Sequence, residues 1–271
     1  MKVEPISILP VGENLIDHPI IDISPITIDN PEYSWNPDTN QTFEDVDNFL
    51  RNGTGPLTIS YHGSAAAFVS SGRDVRDWPD LQIYYSFVGN VPSSVGSLIE
   101  MNRPKSRGRI RLNTTAESML DNRLPIIDFN YFEVETDLEV LVDGIELTLK
   151  IYENTTAFQN LGARYNVKPH KLCEGLSFRS REYWKCYVKH RARSTWHVVG
   201  TCKMGMAGSE TTVVDSKLRV QGVTNLRVVD ASIMPFPPNA NTNAAVMMIA
   251  EKAASELLQE YQIKHDDKSE L

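Results

Sequence analysis

Two stretches of this chain hold residue types that can do chemistry. Ser194 to Gly205 reads Ser-Thr-Trp-His-Val-Val-Gly-Thr-Cys-Lys-Met-Gly, an imidazole beside an indole and then a Gly-Thr step. A neutral imidazole titrates near pH 6.5 and can take a proton at neutral pH from a group held in an apolar pocket. His197 is therefore a candidate base; a hydrogen-bonded core histidine is the other reading of the same residue. The second stretch runs from Arg227 through Pro235 and on to Pro238 to Ala245. There Asp230 ends an apolar run, where a carboxylate can hold a ribose or ribityl hydroxyl or can simply close a turn or cap. Asn241, Thr242 and Asn243 stand where a helix begins. Free N–H groups and the positive end of the helix dipole favour an electron-rich partner there, and Thr242 or Asn243 can equally be a plain N-cap.

Elements that position these residues can be read from pattern. Residues 1–30, interrupted by Pro5, Pro10, Pro19 and Pro25, read as loop and extended chain. Thr42 caps a short helix over 43–51 that stops before Gly53. Leu81, Ile83, Tyr85 and Phe87 alternate as a strand, and Arg107 to Leu112 reads as another with one charged face. The Ser-, Pro- and Gly-rich stretch from Ser93 to Ser106 reads as a loop between them. Thr136 and Glu139 suggest a capping box, followed by Leu138, Leu141, Val142, Ile145 and Leu149 at helical spacing. Gly144 weakens that helix by about 1 kcal/mol relative to Ala. A further helix covers 181–189, Leu226 to Val229 reads as a short strand, and a last helix runs over 244–261. The sum is α+β with an antiparallel sheet, because helices and strands do not alternate as in a doubly wound fold.

Composition narrows the function. The chain has 271 residues with 27 Lys+Arg against 35 Asp+Glu, a net charge of −8, which argues against a nucleic-acid footprint. No apolar run approaches the roughly 20 residues of a membrane span. Three cysteines, with no CxxC pair and no two-histidine helix motif, give a metal site no support, so the expected metal ligands are none. Cys173 and Cys186 could close a loop of about 15 residues, worth about 3 kcal/mol, or could remain two buried thiols.

Taken in order, these stretches carry a resemblance. Val11-Gly-Glu-Asn-Leu-Ile-Asp-His-Pro19, Asn52-Gly-Thr-Gly-Pro-Leu57, Pro104-Lys-Ser-Arg-Gly-Arg-Ile-Arg111, Trp196 to Gly205, Val213-Val-Asp215, Arg227 to Ala231 and Asn241 to Glu251 span nearly the whole chain. Together they resemble the C-terminal portion of the glucose–methanol–choline (GMC) oxidoreductases, flavoenzymes that oxidise alcohols, and within them the insect glucose dehydrogenase (FAD, quinone)-like branch. The resemblance implies that His197 is the base and that Asn243 hydrogen-bonds the substrate oxygen. It implies FAD as cofactor, with Trp196, Asp230, Ala231, Asn241 and Thr242 on the flavin side. It also implies a Cys173–Cys186 disulfide, with Cys202 a reduced neighbour of the pocket. A small-molecule alcohol as substrate, a quinone-type electron acceptor and an extracellular setting for the full-length parent follow from the same likeness.

One part of the family pattern is not in this sequence. No Gly-x-Gly-x-x-Gly occurs in the 271 residues, so the strand–turn–helix unit that cradles the FAD pyrophosphate is expected to be missing. The expected organisation is a remnant of the FAD-domain and lid segment over 1–30, a substrate-binding domain over 31–190, the C-terminal part of the FAD domain with the catalytic residues over 191–262, and a disordered tail over 263–271. The expected function is that of an FAD-dependent oxidoreductase acting on CH–OH donors, present as a fragment inactive alone. The alternative is a non-catalytic remnant that keeps a binding surface for a small molecule or a protein.

Overall fold

The computed structural model describes residues 6–29, 41–58, 65–73, 77–87, 93–113, 115 and 125–261. The expected tail over 263–271 lies outside the described residues. In chain order the elements are β1 (Pro19–Thr27), α1 (Phe43–Asn52), β2 (Ala65–Val69), β3 (Leu81–Phe87), β4 (Ser94–Met101), β5 (Arg109–Leu112) and β6 (Pro125–Asp128). They continue with α2 (Glu135–Asn154), α3 (Thr156–Asn160), α4 (Arg181–Arg191), β7 (Arg193–Ser194) and α5 (Asn243–Glu260). Two compact units share the chain and interleave along it. A sheet unit comprises His18–Lys105 and Val134–Thr195; the second unit comprises Met1–Asp17, Ser106–Glu133 and Trp196–Leu271.

The sheet unit is an antiparallel sheet of order β2-β3-β4-β1-β7 with helices attached. Its centre is a row of isoleucines, Ile83, Ile99 and Ile21, aligned across three strands and each 0% exposed. β1 is the extended part of the segment that reads as loop and extended chain. Pro19 stands at its first position and Pro25 at a break in register between Ile23 and Ile26, the two places where a missing N–H does least harm to a ladder. β4 replaces the expected loop over 93–106. Its Ser94, Gly96 and Ser97 are buried, and the Tyr152 hydroxyl of α2 donates to Gly96 O at 3.0 Å and lies 3.0 Å from Ser97 Oγ. Burial pushes that phenol's pKa above its ordinary value.

α2 buries Leu138, Leu141, Val142, Ile145 and Leu149, as its periodicity predicted. Its N-terminus differs from the expected capping box: the N-cap is Val134, which makes no side-chain cap bond. Asp137 accepts the Lys105 amide instead, and Glu139 is taken by Arg181, Lys185 and Arg73. These cations hold the Glu139 carboxyl down at about 2, with Lys185 and Arg181 as the main causes. Gly144 has a reason that the sequence does not show: a Cβ there would meet Ile99 Cγ2 at 2.8 Å and Leu81 Cδ1 at 3.2 Å, so the helix lies directly on β3 and β4. α1 begins with the expected Thr42 cap, a reciprocal box with Asp45, and ends at Gly53 in the left-handed region, φ 62°. Cys173 and Cys186 form a disulfide, tying the turn Lys171–Cys173 to α4; Cys202 is a free, half-buried thiol of the second unit.

The second unit contains the β5–β6 ladder, α5 and long stretches of irregular chain around two small cores. One gathers Val213, Val214, Leu218, Ile233 and Ala253; the other gathers Ile16, Val199 and Met234. Leu226 to Val229 is not a ladder strand. Arg227 makes an isolated bridge to Arg219, and the flanking bonds are Val220 N–H to Leu226 O and Val228 N–H to Leu218 O. Gly222 (φ 75°) and Asn225 (φ 58°) turn the chain sharply just before it, leaving two hydrogen bonds in place of a run.

Candidate active site

The Trp196 to Gly205 stretch lies in the second unit between two backbone partners. On one side Ile16 and Val199 exchange both backbone bonds, at 3.0 and 2.8 Å, and the Gly12 amide donates to Thr201 O at 2.9 Å. On the other side the amides of Cys202 and Met204 donate to Ser232 O and Ile233 O, both at 2.8 Å. Gly200 is required in the middle: its φ is 95°, and a Cβ would fall onto Asn14 O. The Gly-Thr step is therefore a backbone device that lets the stretch pass close to Asn14.

His197 emerges at the start of this stretch, 9% exposed. Trp196 before it has φ 64°, a region that bulky L-residues avoid at a cost of order 1–3 kcal/mol. Its indole is 86% exposed. The His197 amide donates to Asp17 Oδ1 at 2.9 Å, and the Tyr131 hydroxyl donates to Asp17 Oδ2 at 2.5 Å. The imidazole Nε2 lies 3.2 Å from Asn241 Nδ2. With the ring neutral and its proton on Nδ1, that amide donates to the Nε2 lone pair; once Nε2 is protonated, the same side chain can rotate and accept through Oδ1. Asn241 can thus serve the histidine in both charge states.

The structure brings together His197 and Asn241; Asn243, implied as the donor to the substrate oxygen, is an exposed side chain at the first residue of α5. Thr242 is the N-cap of α5 and makes no side-chain cap bond, so it does not serve as a plain cap in the side-chain sense. The first intrahelical bond runs from Val246 to Thr242 O, and the amides of 243–245 have no intrahelical acceptor. Asp230 does cap: its Oδ1 accepts from Ser232 at 2.7 Å, opening the turn Ala231–Ile233, and Ala231 packs against the Ile16, Val199 and Met234 cluster. Two clefts of this unit, about 590 and 620 Å³, are lined by residues such as Arg219, Arg227 and Glu260 and contain neither His197 nor Asn243. Asp17 and Tyr131 are members of the site that residue type alone did not single out. Asp17 lies inside the quoted segment 11–19, while Tyr131 is marked only by the aromatic run Phe129-Asn-Tyr-Phe132.

A family model described as GMC oxidoreductase matches residues 104–250, more than half of the chain. The chain belongs to the GMC oxidoreductases. This GMC chain is 35% identical over 221 residues to a glucose dehydrogenase [FAD, quinone] of Drosophila pseudoobscura pseudoobscura, covering 76% of the chain and 33% of the relative. It is 31% identical over 283 residues to an ecdysone oxidase of Spodoptera littoralis, covering 94% of the chain and 44% of the relative. It thus spans between a third and a half of the length of these curated relatives. Among solved structures, its fold resembles an FAD-dependent oxidoreductase from Chaetomium thermophilum, with TM-score 0.80 at 21% identity over 97% of this chain and 51% of that one. It also resembles the formate oxidase of Aspergillus oryzae, with TM-score 0.75 at 20% identity over 93% and 48%. The antiparallel sheet with flanking helices is therefore that of the C-terminal part of this family. No described helix is long and apolar enough to cross a membrane.

Proposed function

We propose that this chain supplies the substrate side and the catalytic base of an FAD-dependent oxidoreductase acting on CH–OH donors, the sheet unit serving the substrate and the second unit the flavin. The observation that carries the reading is the buried His197, held by its amide and facing Asn241 two residues ahead of α5. The residues present fit one edge of a flavin ring. Leading amides of α5 without intrahelical acceptors, at the positive end of a dipole, suit a carbonyl edge that gains electron density. Asn241, Thr242, Asp230, Ala231 and the exposed indole of Trp196 would hold the ring and its polyol. The diphosphate would need a cradle that the 271 residues do not spell.

When bound, FAD supplies the two-electron hydride acceptor. Nε2 of His197 takes the hydroxyl proton of the alcohol, so that the carbon can give up hydride. Asn243 donates to the alcohol oxygen as charge builds on it, and as an amide it does so at any pH. In the alcohol-free chain Asn241 occupies the Nε2 lone pair, and the alcohol hydroxyl displaces it there. A small alcohol or sugar is the substrate class, and a quinone-type acceptor is in keeping with the glucose dehydrogenases [FAD, quinone] among its relatives. Alone, the chain binds FAD weakly and does not oxidise alcohols. Exposed Met206, Phe236, Met247 and Met248 on the second unit support the reading that further protein covers it.

Co-expression with the nucleotide-binding half of a curated relative tests this. Alcohol-dependent reduction of an artificial electron acceptor, absent in His197→Gln, is expected. Stoichiometric yellow flavin on the isolated chain would contradict its weak binding, and activity that survives His197→Gln would overturn the assignment of the base.

A further inference from the structure

We infer that Asp17 and Tyr131 form a clamp whose role is to position His197, an inference that rests on the reading of His197 as the base. The case begins with the backbone. Ile16 and Val199 exchange both bonds of an isolated antiparallel bridge, but Trp196 stands at φ 64°, and the His197 amide is served by a side chain instead of a carbonyl. That side chain is Asp17, 3% exposed, whose Oδ1 accepts the His197 N–H at 2.9 Å. The other oxygen accepts from Tyr131 at 2.5 Å. One carboxylate thus joins three segments of the second unit that lie far apart in sequence.

Tyr131 is itself placed by a built turn. Asn130 (φ 49°) and Phe132 (φ 65°) flank it in left-handed conformations, and the Asn130 amide donates to Asp128 Oδ1 at 2.9 Å. Asn130 Nδ2 donates to Arg107 O at 3.0 Å and to Glu133 Oε2 at 2.7 Å. The Tyr131 ring stacks on Phe129 at 5.0 Å between centroids. Such a turn fixes where the hydroxyl points, hence where the carboxylate sits, hence where the His197 amide is held. A bulky residue in the left-handed region persists only when its surroundings over-determine it; with the clamp gone, the 196–197 backbone relaxes and carries the imidazole away from Asn241. Because small misplacements of a catalytic group cost large factors in rate, Asp17 acts on the reaction through His197 without touching the alcohol.

The experiment uses the full 271-residue chain, isotope-labelled, and reads two quantities by NMR: hydrogen exchange at the His197 amide relative to Val199, and the cross-peak between the His197 ring and the Asn241 side-chain amide. Asp17→Ala is expected to speed exchange at His197 by roughly ten- to a hundred-fold, the loss of one buried hydrogen bond, and to abolish the cross-peak. Tyr131→Phe is expected to give an intermediate effect. Asp17→Asn keeps an acceptor for the amide, with Nδ2 now donating to the Tyr131 oxygen, and is expected to restore both readouts. In the flavin-loaded assembly Asp17→Ala should lower kcat about a hundredfold with KM little changed, and Asp17→Asn should recover most of it. Should Asp17→Ala fail to fold, Tyr131→Phe and Asp17→Asn decide. Wild-type exchange and an intact cross-peak in a folded Asp17→Ala or Tyr131→Phe variant would overturn the clamp, as would an Asp17→Asn that behaves like alanine. If the NMR readouts move as expected while His197→Gln leaves activity untouched, the base assignment fails and the clamp stands.

Discussion

Gly144→Ala is the substitution on which helix propensity and packing disagree most plainly. Propensity alone favours it: in mid-helix, alanine is better than glycine by about 1 kcal/mol. The structure says otherwise. A methyl at 144 would stand 2.8 Å from Ile99 Cγ2 and 3.2 to 3.3 Å from the two Leu81 methyls. Both partners are 0% exposed, and β3 and β4 are each paired on both edges, so neither residue has room to retreat. Forcing an extra carbon into such a core costs about 1–3 kcal/mol. Subtracting the propensity gain leaves a net destabilisation of about 0–2 kcal/mol, centred on roughly 1 kcal/mol. Urea unfolding followed by circular dichroism would show it as a lower midpoint at unchanged slope. A cycle with Ile99→Ala sharpens the test. That change alone costs about 2–5 kcal/mol. In the Gly144→Ala background it should cost less, because the added methyl fills part of the void and the two sites couple. A Gly144→Ala chain stabilised by about 1 kcal/mol, with additive behaviour toward Ile99→Ala, would refute the packing argument and leave propensity in charge.

Three further outcomes are expected. The Glu139 carboxyl sits at about 2 in the folded chain against 4.5 ordinarily, so its contribution to stability is complete above pH 4.5 and drains away as the pH falls toward 2; thermal melts across that window should show a steeper loss in the wild type than in Glu139→Gln. Reducing the Cys173–Cys186 bridge, or replacing both residues by serine, removes a closure spanning 13 positions and should cost about 3 kcal/mol in urea unfolding. Gly200→Ala puts a methyl onto Asn14 O at a φ of 95° and should destabilise by more than about 1 kcal/mol, with chemical-shift changes centred on residues 12–16 and 197–201.

What could be read from the sequence depended on whether the signal was local. The stripe Leu138, Leu141, Val142, Ile145, Leu149 specifies one face of α2 whatever it meets, and all five are buried. Thr42 shows as a cap beside its own helix, and the structure adds Asp45 to it within four residues. β4 escapes the sequence, and β1 shows there only as loop and extended chain, because their evidence is distant: Ile21 faces Ile99, and a tyrosine from α2 lies over Gly96 and Ser97, only in the folded chain. Gly144 looked like a weak point in a helix and is a point of contact with the sheet. The site shows the same division. His197 and Asn241 were legible as residue types in ordered motifs, yet the partner the histidine takes, the cap made by Asp230 and the clamp through Tyr131 all depend on chain segments that meet only after folding.

The interleaving of the two units has a consequence during synthesis. β1 is made before its partners: its neighbour β4 follows some 70 residues later and the other neighbour, β7, only at Arg193 and Ser194. At about 5–20 residues per second, Pro19 and Ile20 wait on the order of ten seconds or longer before their second edge is paired. A nascent chain of this design holds β1 without a partner until β4 is made, and with one edge open at its first residues until β7 follows. No single cut in the gene releases either unit whole.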